Sequence, residues 1–194
     1  MTRLAQFILV LVVAAYPLAV YFGIQYLPFG YMIALLLAVA GLRLLMMSTQ
    51  KSAAGGRIGA GALAAILLAV SVASWLRGDS TGLLWYPVFC NLVMFAIFAR
   101  SLYFQPQSII ERLARIQEPE LPPSGIAYTR RVTGVWCVFF LLNGSVATAT
   151  AMVADLELWT LYNGLISYLL MGVLLAGEWV VRRRVRRATA HEAL

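Results

Sequence analysis

Glu178 is a carboxylate in an expensive place. It lies inside the last apolar stretch of the chain, about one helical turn from the stretch's basic end. An ionisable group at membrane depth is a functional suspect by default. Arg182 follows four residues on, and Arg130 and Arg131 open the preceding apolar stretch at similar depth. Two chemistries fit: a carboxylate that couples proton or substrate movement, or an interfacial ion pair that locks two helices together. The ion pair is the preferred reading. Uncharged polar residues lie deeper. Asn91 and Ser167 each stand about eight residues from an outer helix end and Asn143 about eleven from an inner end, so at about 1.5 Å per residue all three reach mid-membrane depth. Thr148 and Asn163 form a second layer nearer the outside. Such groups either hydrogen-bond between helices, at roughly 0.6–2 kcal/mol per contact, or line a cavity for a lipid or small molecule. Bonding between helices is preferred.

Nothing else approaches a catalytic set. No Ser/His/Asp group, HExxH, acidic metal cluster or phosphate-binding glycine loop occurs. His191 is the single histidine, and Cys90 and Cys137 sit apart in separate apolar stretches. A zinc site, a disulfide framework and a bound cofactor are not expected. An enzyme built from this chain would work with Glu178 and nearby arginines.

The elements that position these residues follow from composition. Of 194 residues, 62% are hydrophobic and 12% charged, whereas soluble domains run to about half apolar and a quarter charged. Lipid is the solvent that reconciles the difference. A spanning helix needs about 20 mainly apolar residues, and six stretches qualify: 5–24, 31–47, 58–75, 83–103, 132–153 and 159–181. The expected fold is an all-α polytopic helix bundle in one integral membrane domain, residues 1–194. Pro17 kinks the first span, which reads as an uncleaved anchor. Gly61, Ala65 and Ala69 recur every fourth residue, a spacing that lets helix backbones approach. The longest link, 104–131, holds Ile109, Leu113 and Ile116 at helical spacing beside Ile110, with Glu111 and Arg115 as an i,i+4 pair. This predicts a short interfacial amphipathic helix on the bilayer surface, stopped by Pro119, Pro122 and Pro123. Residues 182–194 form a basic tail.

Net charge is +7. With six spans, all of the 15 Lys and Arg residues except Arg77 fall on one side. Basic links mark the cytoplasmic face, so both termini and the 104–131 link are expected there, in a bacterial inner membrane. Trp75, Trp85 and Trp159 then mark outer helix ends, and Trp136 and Trp179 inner ends. The positive balance points to anionic lipid headgroups rather than nucleic acid. Glu111, Arg112, Arg130, Arg131, Glu178 and Arg182 make a cytoplasmic-face cluster.

Several segments carry a resemblance. Tyr86-Pro87-Val88, Arg100-Ser101-Leu102, residues 110–115, Pro122-Pro123 and Tyr128-Thr129-Arg130-Arg131-Val132-Thr133 resemble an uncharacterised family of proteobacterial polytopic membrane proteins. So do residues 136–144, Leu161-Tyr162-Asn163-Gly164 and Gly177-Glu178-Trp179. Genes of that family often lie beside fatty-acid-like synthase genes, including those for aryl polyene pigments, which implies envelope lipid or pigment biology. Glu111-Arg112, Trp136-x-x-Phe139-Phe140-x-x-x-Gly144 and Trp159 are more distantly similar to the intracellular septation protein A family. That likeness covers about the last half of the chain and implies a link to septum synthesis. Neither family supplies a catalytic set to carry over. Three functions stay open: a non-enzymatic scaffold for envelope- or lipid-synthesis proteins, which leads; a carrier of a lipid or polyene product; and an intramembrane enzyme. The small-residue faces serve packing within one chain or in a homo-oligomer.

Overall fold

The computed structural model describes residues 80–192 continuously, and earlier positions 21–23, 25–26, 30–31, 34, 37–38, 41, 65–66, 68–72, 74–76 and 78. The described residues are mostly helical, and none of them is in a strand. The predicted span 5–24 lies almost wholly outside them, and only scattered positions of 31–47 and 58–75 fall within.

A 3-10 turn, Ser80–Trp85, leads into helix α1, Tyr86–Tyr103. Pro87 fits the first turn of α1, where an amide N–H has no intrahelical partner to lose. Helix α2 is Ile109–Gln117, and α3 is the long Pro123–Val153. Helix α4, Leu156–Leu161, passes through a π turn, Tyr162–Ile166, into α5, Ser167–Glu192. Three segments are long and apolar enough to cross a membrane: Thr81–Tyr103, Pro123–Val153 and Leu156–Arg183. Protein covers only 28%, 33% and 6% of their apolar windows. Leu92, Val138, Leu142, Leu169 and Val173 all stand exposed, an arrangement suited to lipid rather than water.

These segments coincide with the last three predicted spans, but their ends differ. Helix α3 starts at Pro123 rather than 132, because proline favours the first helical position. Hydropathy marks only where that helix becomes apolar. The link between the last two spans is shorter than the predicted 154–158. Ala154 adopts φ 57, the left-handed conformation that closes a helix, and its N–H reaches the Thr150 carbonyl at 3.2 Å. Asp155 then caps α4, its Oδ1 accepting from the amides of Glu157 and Leu158 at 2.9 and 3.0 Å. Alanine pays a steric cost at positive φ that glycine avoids. Ala154→Gly is therefore expected to raise stability by about 1 kcal/mol, read as a higher unfolding temperature in detergent. Helix α5 also continues to Glu192, into the region read as a basic tail.

The chain divides into two compact units, Met1–Val93 with Gly144–Leu165, and Met94–Asn143 with Ile166–Leu194. In the first, Ile66, Val70, Leu83, Leu84, Ala151 and Trp159 form the core. Trp159 is completely buried, and its indole N–H donates to the Leu84 carbonyl at 2.9 Å. In the second, Phe98, Trp136, Cys137 and Phe140 form the core, with Ile109, Ile110, Met171 and Leu174 against it. Its rings meet edge-on, Phe98 with Phe140 at 5.2 Å and Trp136 with Phe139 at 5.6 Å, a geometry the ring quadrupoles favour.

Candidate functional site

The five polar-layer candidates are all engaged within the protein, whereas the hydroxyls of Ser74 and Thr160 are buried without a hydrogen-bond partner. In the first unit, Asn91 is buried and its Nδ2 donates to the Pro87 carbonyl at 2.8 Å, one turn back in its own helix. A Cβ on Gly144 would lie 3.1 Å from the Asn91 Cβ, so this glycine lets α3 approach Asn91 closely. Asn163 is buried at the π turn. Its Nδ2 donates to Thr150 Oγ1 at 3.1 Å and to the Trp159 carbonyl at 3.0 Å. Thr148, the expected companion of Asn163, instead returns its hydroxyl to the Gly144 carbonyl at 2.8 Å. Depth alone could not choose between the two threonines. Two residues along a helix turn about 200° around its axis, so only one faces the neighbour. In the second unit Asn143 and Ser167 are buried, and neither stands without an interaction partner. Thr133 and Thr129 each return a hydroxyl to their own helix at 2.8 Å.

An apolar groove of about 290 Å³ is lined by Leu37, Ser71, Val72 and Trp75. None of the five candidate residues of the polar layers lines it.

The cytoplasmic-face candidates all belong to the second unit. Ser108 caps α2, its Oγ accepting from the Glu111 amide at 3.3 Å. Ser101 Oγ accepts from the Ile109 amide at 3.0 Å and donates to the Phe98 carbonyl at 2.8 Å. The start of α2 is thereby pinned to the last turn of α1. Ser108 was not singled out from the sequence, although Ser-x-x-Glu before an amphipathic run is a capping-box pattern. Here Glu111 does not complete the box. Its Oε1 takes the Nε and Nη2 of Arg115 at 3.0 and 2.8 Å, and its Oε2 is buried without a hydrogen-bond partner. Arg115 also donates to the Pro119 carbonyl at 3.0 Å.

Arg112 reaches the Gln105 side chain, and Arg130 donates to the Leu102 carbonyl at 2.8 Å. Among the described residues, no ion pair joins Glu178 to Arg130 or Arg131, the link expected from their shared depth. Tyr128 makes that connection instead, its hydroxyl donating to the Glu178 backbone carbonyl at 3.2 Å. Arg183, one residue beyond Arg182, stacks on Trp179 at 3.5 Å from the ring centre. Among the described residues no group of His, Cys, Asp and Glu could hold a metal ion.

The Glu111–Arg115 pair has unequal ends, with side chains 3% and 29% exposed. Removing the outer partner strands a buried charge, while removing both does not. Arg115→Ala is expected to cost about 1–2 kcal/mol, tempered by the arginine's exposure. Glu111→Leu combined with Arg115→Leu is expected to cost less than Arg115→Ala alone. Thermal unfolding of the purified protein in detergent reads both.

No family model, curated protein or solved structure matches the chain.

Proposed function

We propose that this chain is a multi-pass protein of the bacterial inner membrane, with six spans and both termini in the cytoplasm. It acts as a non-enzymatic scaffold or accessory to envelope lipid or septum synthesis. One observation carries the reading: three of the polar-layer candidates, Asn91, Thr148 and Asn163, spend their side chains on bonds within the protein. Asn91 returns to Pro87, Thr148 to Gly144, and Asn163 to Thr150 and Trp159. Groups spent on packing are not presented to a substrate. On the cytoplasmic side, hydrogen bonds accepted by Ser101 and Ser108 and donated by Arg115 and Arg130 hold the 104–131 link in a fixed shape. A fixed link offers a partner surface that needs little ordering on binding. Exposed Arg112 and Arg131 give that surface its charge.

The test is capture of crosslinked partners from membranes, comparing the native chain with Arg112→Gln/Arg131→Gln. The scaffold predicts loss of specific partners with membrane insertion unchanged. Identical partner recovery from both chains contradicts it. A second reading, a carrier for a lipid or polyene product, has the groove at Leu37, Ser71, Val72 and Trp75 in its favour. It predicts a missing or accumulated acyl or polyene species in lipid extracts of a deletion strain. The scaffold predicts an unchanged profile.

A further inference from the structure

Helix α2 is oriented against the rule for a helix in water. Its charged pair faces the protein: Glu111 is 2% exposed and Arg115 folds over it. Ala114 is buried beside them, and Ile110 packs against the aromatic core of its unit. The face turned outward carries Leu113, 55% exposed, and Ile116, 79% exposed. At about 100° per residue these two lie about 60° apart on the helix, with Arg112 about 40° beyond Ile116.

We infer that Leu113 and Ile116 insert into the headgroup–acyl boundary of the same bilayer that the spans cross, making α2 a membrane-docked anchor. The inference rests on the reading of this chain as membrane-spanning.

Three observations select lipid as the occupant. The first is continuity with the span. Ser101, in the last turn of α1, bonds the first amide of α2 at 3.0 Å. Residues of both turns of α2 are buried, so the helix lies along its unit instead of projecting from it. Nine residues extend only about 14 Å, so no part of α2 is far from the end of a spanning helix. The second is the apolar collar at that end. Tyr103 and Phe104 are 76% and 84% exposed, and aromatic side chains favour the membrane interface. The third is charge. Exposed Arg112 brings a cation to the rim of the apolar face, where anionic headgroups receive it while its stem lies along acyl chains. Glu111, the one acid of α2, is turned away. An outward carboxylate there would oppose an anionic surface. The Glu111–Arg115 pair therefore sets the rotation of α2, and the rotation presents the two apolar side chains to lipid.

The test uses the full chain in vesicles of phosphatidylethanolamine and phosphatidylglycerol. Single cysteines replace Leu113, Ile116, Glu120, Leu92 or Val138 in a Cys90→Ala/Cys137→Ala background, and each carries a nitroxide. Labels at 113 and 116 are expected to relax several-fold more with oxygen, relative to a water-soluble nickel chelate, than the label at 120. Their response should approach that of the mid-span labels at 92 and 138. If 113 and 116 respond to the chelate as 120 does while 92 and 138 stay protected, the inference is overturned and the spanning reading survives. If 92 and 138 also respond to the chelate, the spanning reading itself fails. A photoreactive benzoylphenylalanine in place of Ile116, in the native cysteine background, gives a second readout. A phospholipid adduct is expected. A chain dimer or an adduct with another protein as the main product overturns the inference.

Discussion

Trp159→Ala is expected to cost about 3–5 kcal/mol, enough to abolish cooperative folding of a marginal membrane protein. Trp159 is the largest fully buried side chain among the described residues and touches the core made by Ile66, Val70, Leu83, Leu84 and Ala151. Removing it leaves a cavity that neighbours from separate segments cannot close together. Its indole N–H is also the partner of the Leu84 carbonyl, in the 3-10 turn. Trp159→Phe separates the two contributions. Phenylalanine fills much of the volume but strands the carbonyl, so it is expected to cost about 1–3 kcal/mol. Unfolding can be followed by the reactivity of Cys90, a free thiol packed against this core, in a Cys137→Ala background. The order native, Phe, Ala should hold in unfolding temperature. Equal stability of the alanine variant and the native chain contradicts the packing described for this unit.

Gly82→Val is expected to have the second largest effect, about 3 kcal/mol. A Cβ at Gly82 would collide with Ser74, whose Oγ is the nearest atom and whose backbone nitrogen and Cα lie at 2.9 and 3.0 Å. If the hydroxyl were the only obstacle, Ser74→Ala would rescue the variant. Backbone atoms cannot step aside in the same way, so Gly82→Val combined with Ser74→Ala should remain close to Gly82→Val alone. Ser74→Ala by itself should be mild, since its buried hydroxyl has no hydrogen-bond partner to lose. Full rescue by Ser74→Ala would show that the segments are less closely apposed than described. Gly78, at φ 70 and donating to the Ser74 carbonyl at 3.0 Å, turns the chain so that Gly82 can return to Ser74.

The long apolar segments were legible in the sequence because lipid imposes a simple demand: about 20 apolar residues with all backbone groups bonded internally. That demand fixes what crosses a membrane, not where a helix begins. Hydropathy therefore placed the start of α3 at 132, while the prolines at 122 and 123 mark it better. The break at Ala154 and Asp155 was partly readable. Asp155 is an ordinary N-cap residue, but an alanine in the left-handed region leaves no signature. The π turn at Tyr162–Ile166 had no visible signal either, although it carries Asn163 to Thr150.

Of the candidate polar residues, Asn91, Asn143, Asn163 and Ser167 are buried and Thr148 is half-buried. Their partners were not readable, because depth along a helix says nothing of rotation about it. Glu111 shows the same gap from the other side. Periodicity identified α2, and the habit of aqueous proteins would turn its isoleucines and leucine inward. Here Ile110 does face the core, but Leu113 and Ile116 face out and the carboxylate faces in.

The central claim is that α1, α3 and the α4–α5 segment each cross the membrane. The link after α1 and the short turn at Asp155 would then lie on opposite sides. Single cysteines at Glu120 and Glu157, both exposed, test it in intact cells with an impermeant maleimide. Position 157 is expected to label from the outside, and position 120 only after the membrane is opened. Labelling of both from the outside, or of neither, contradicts it.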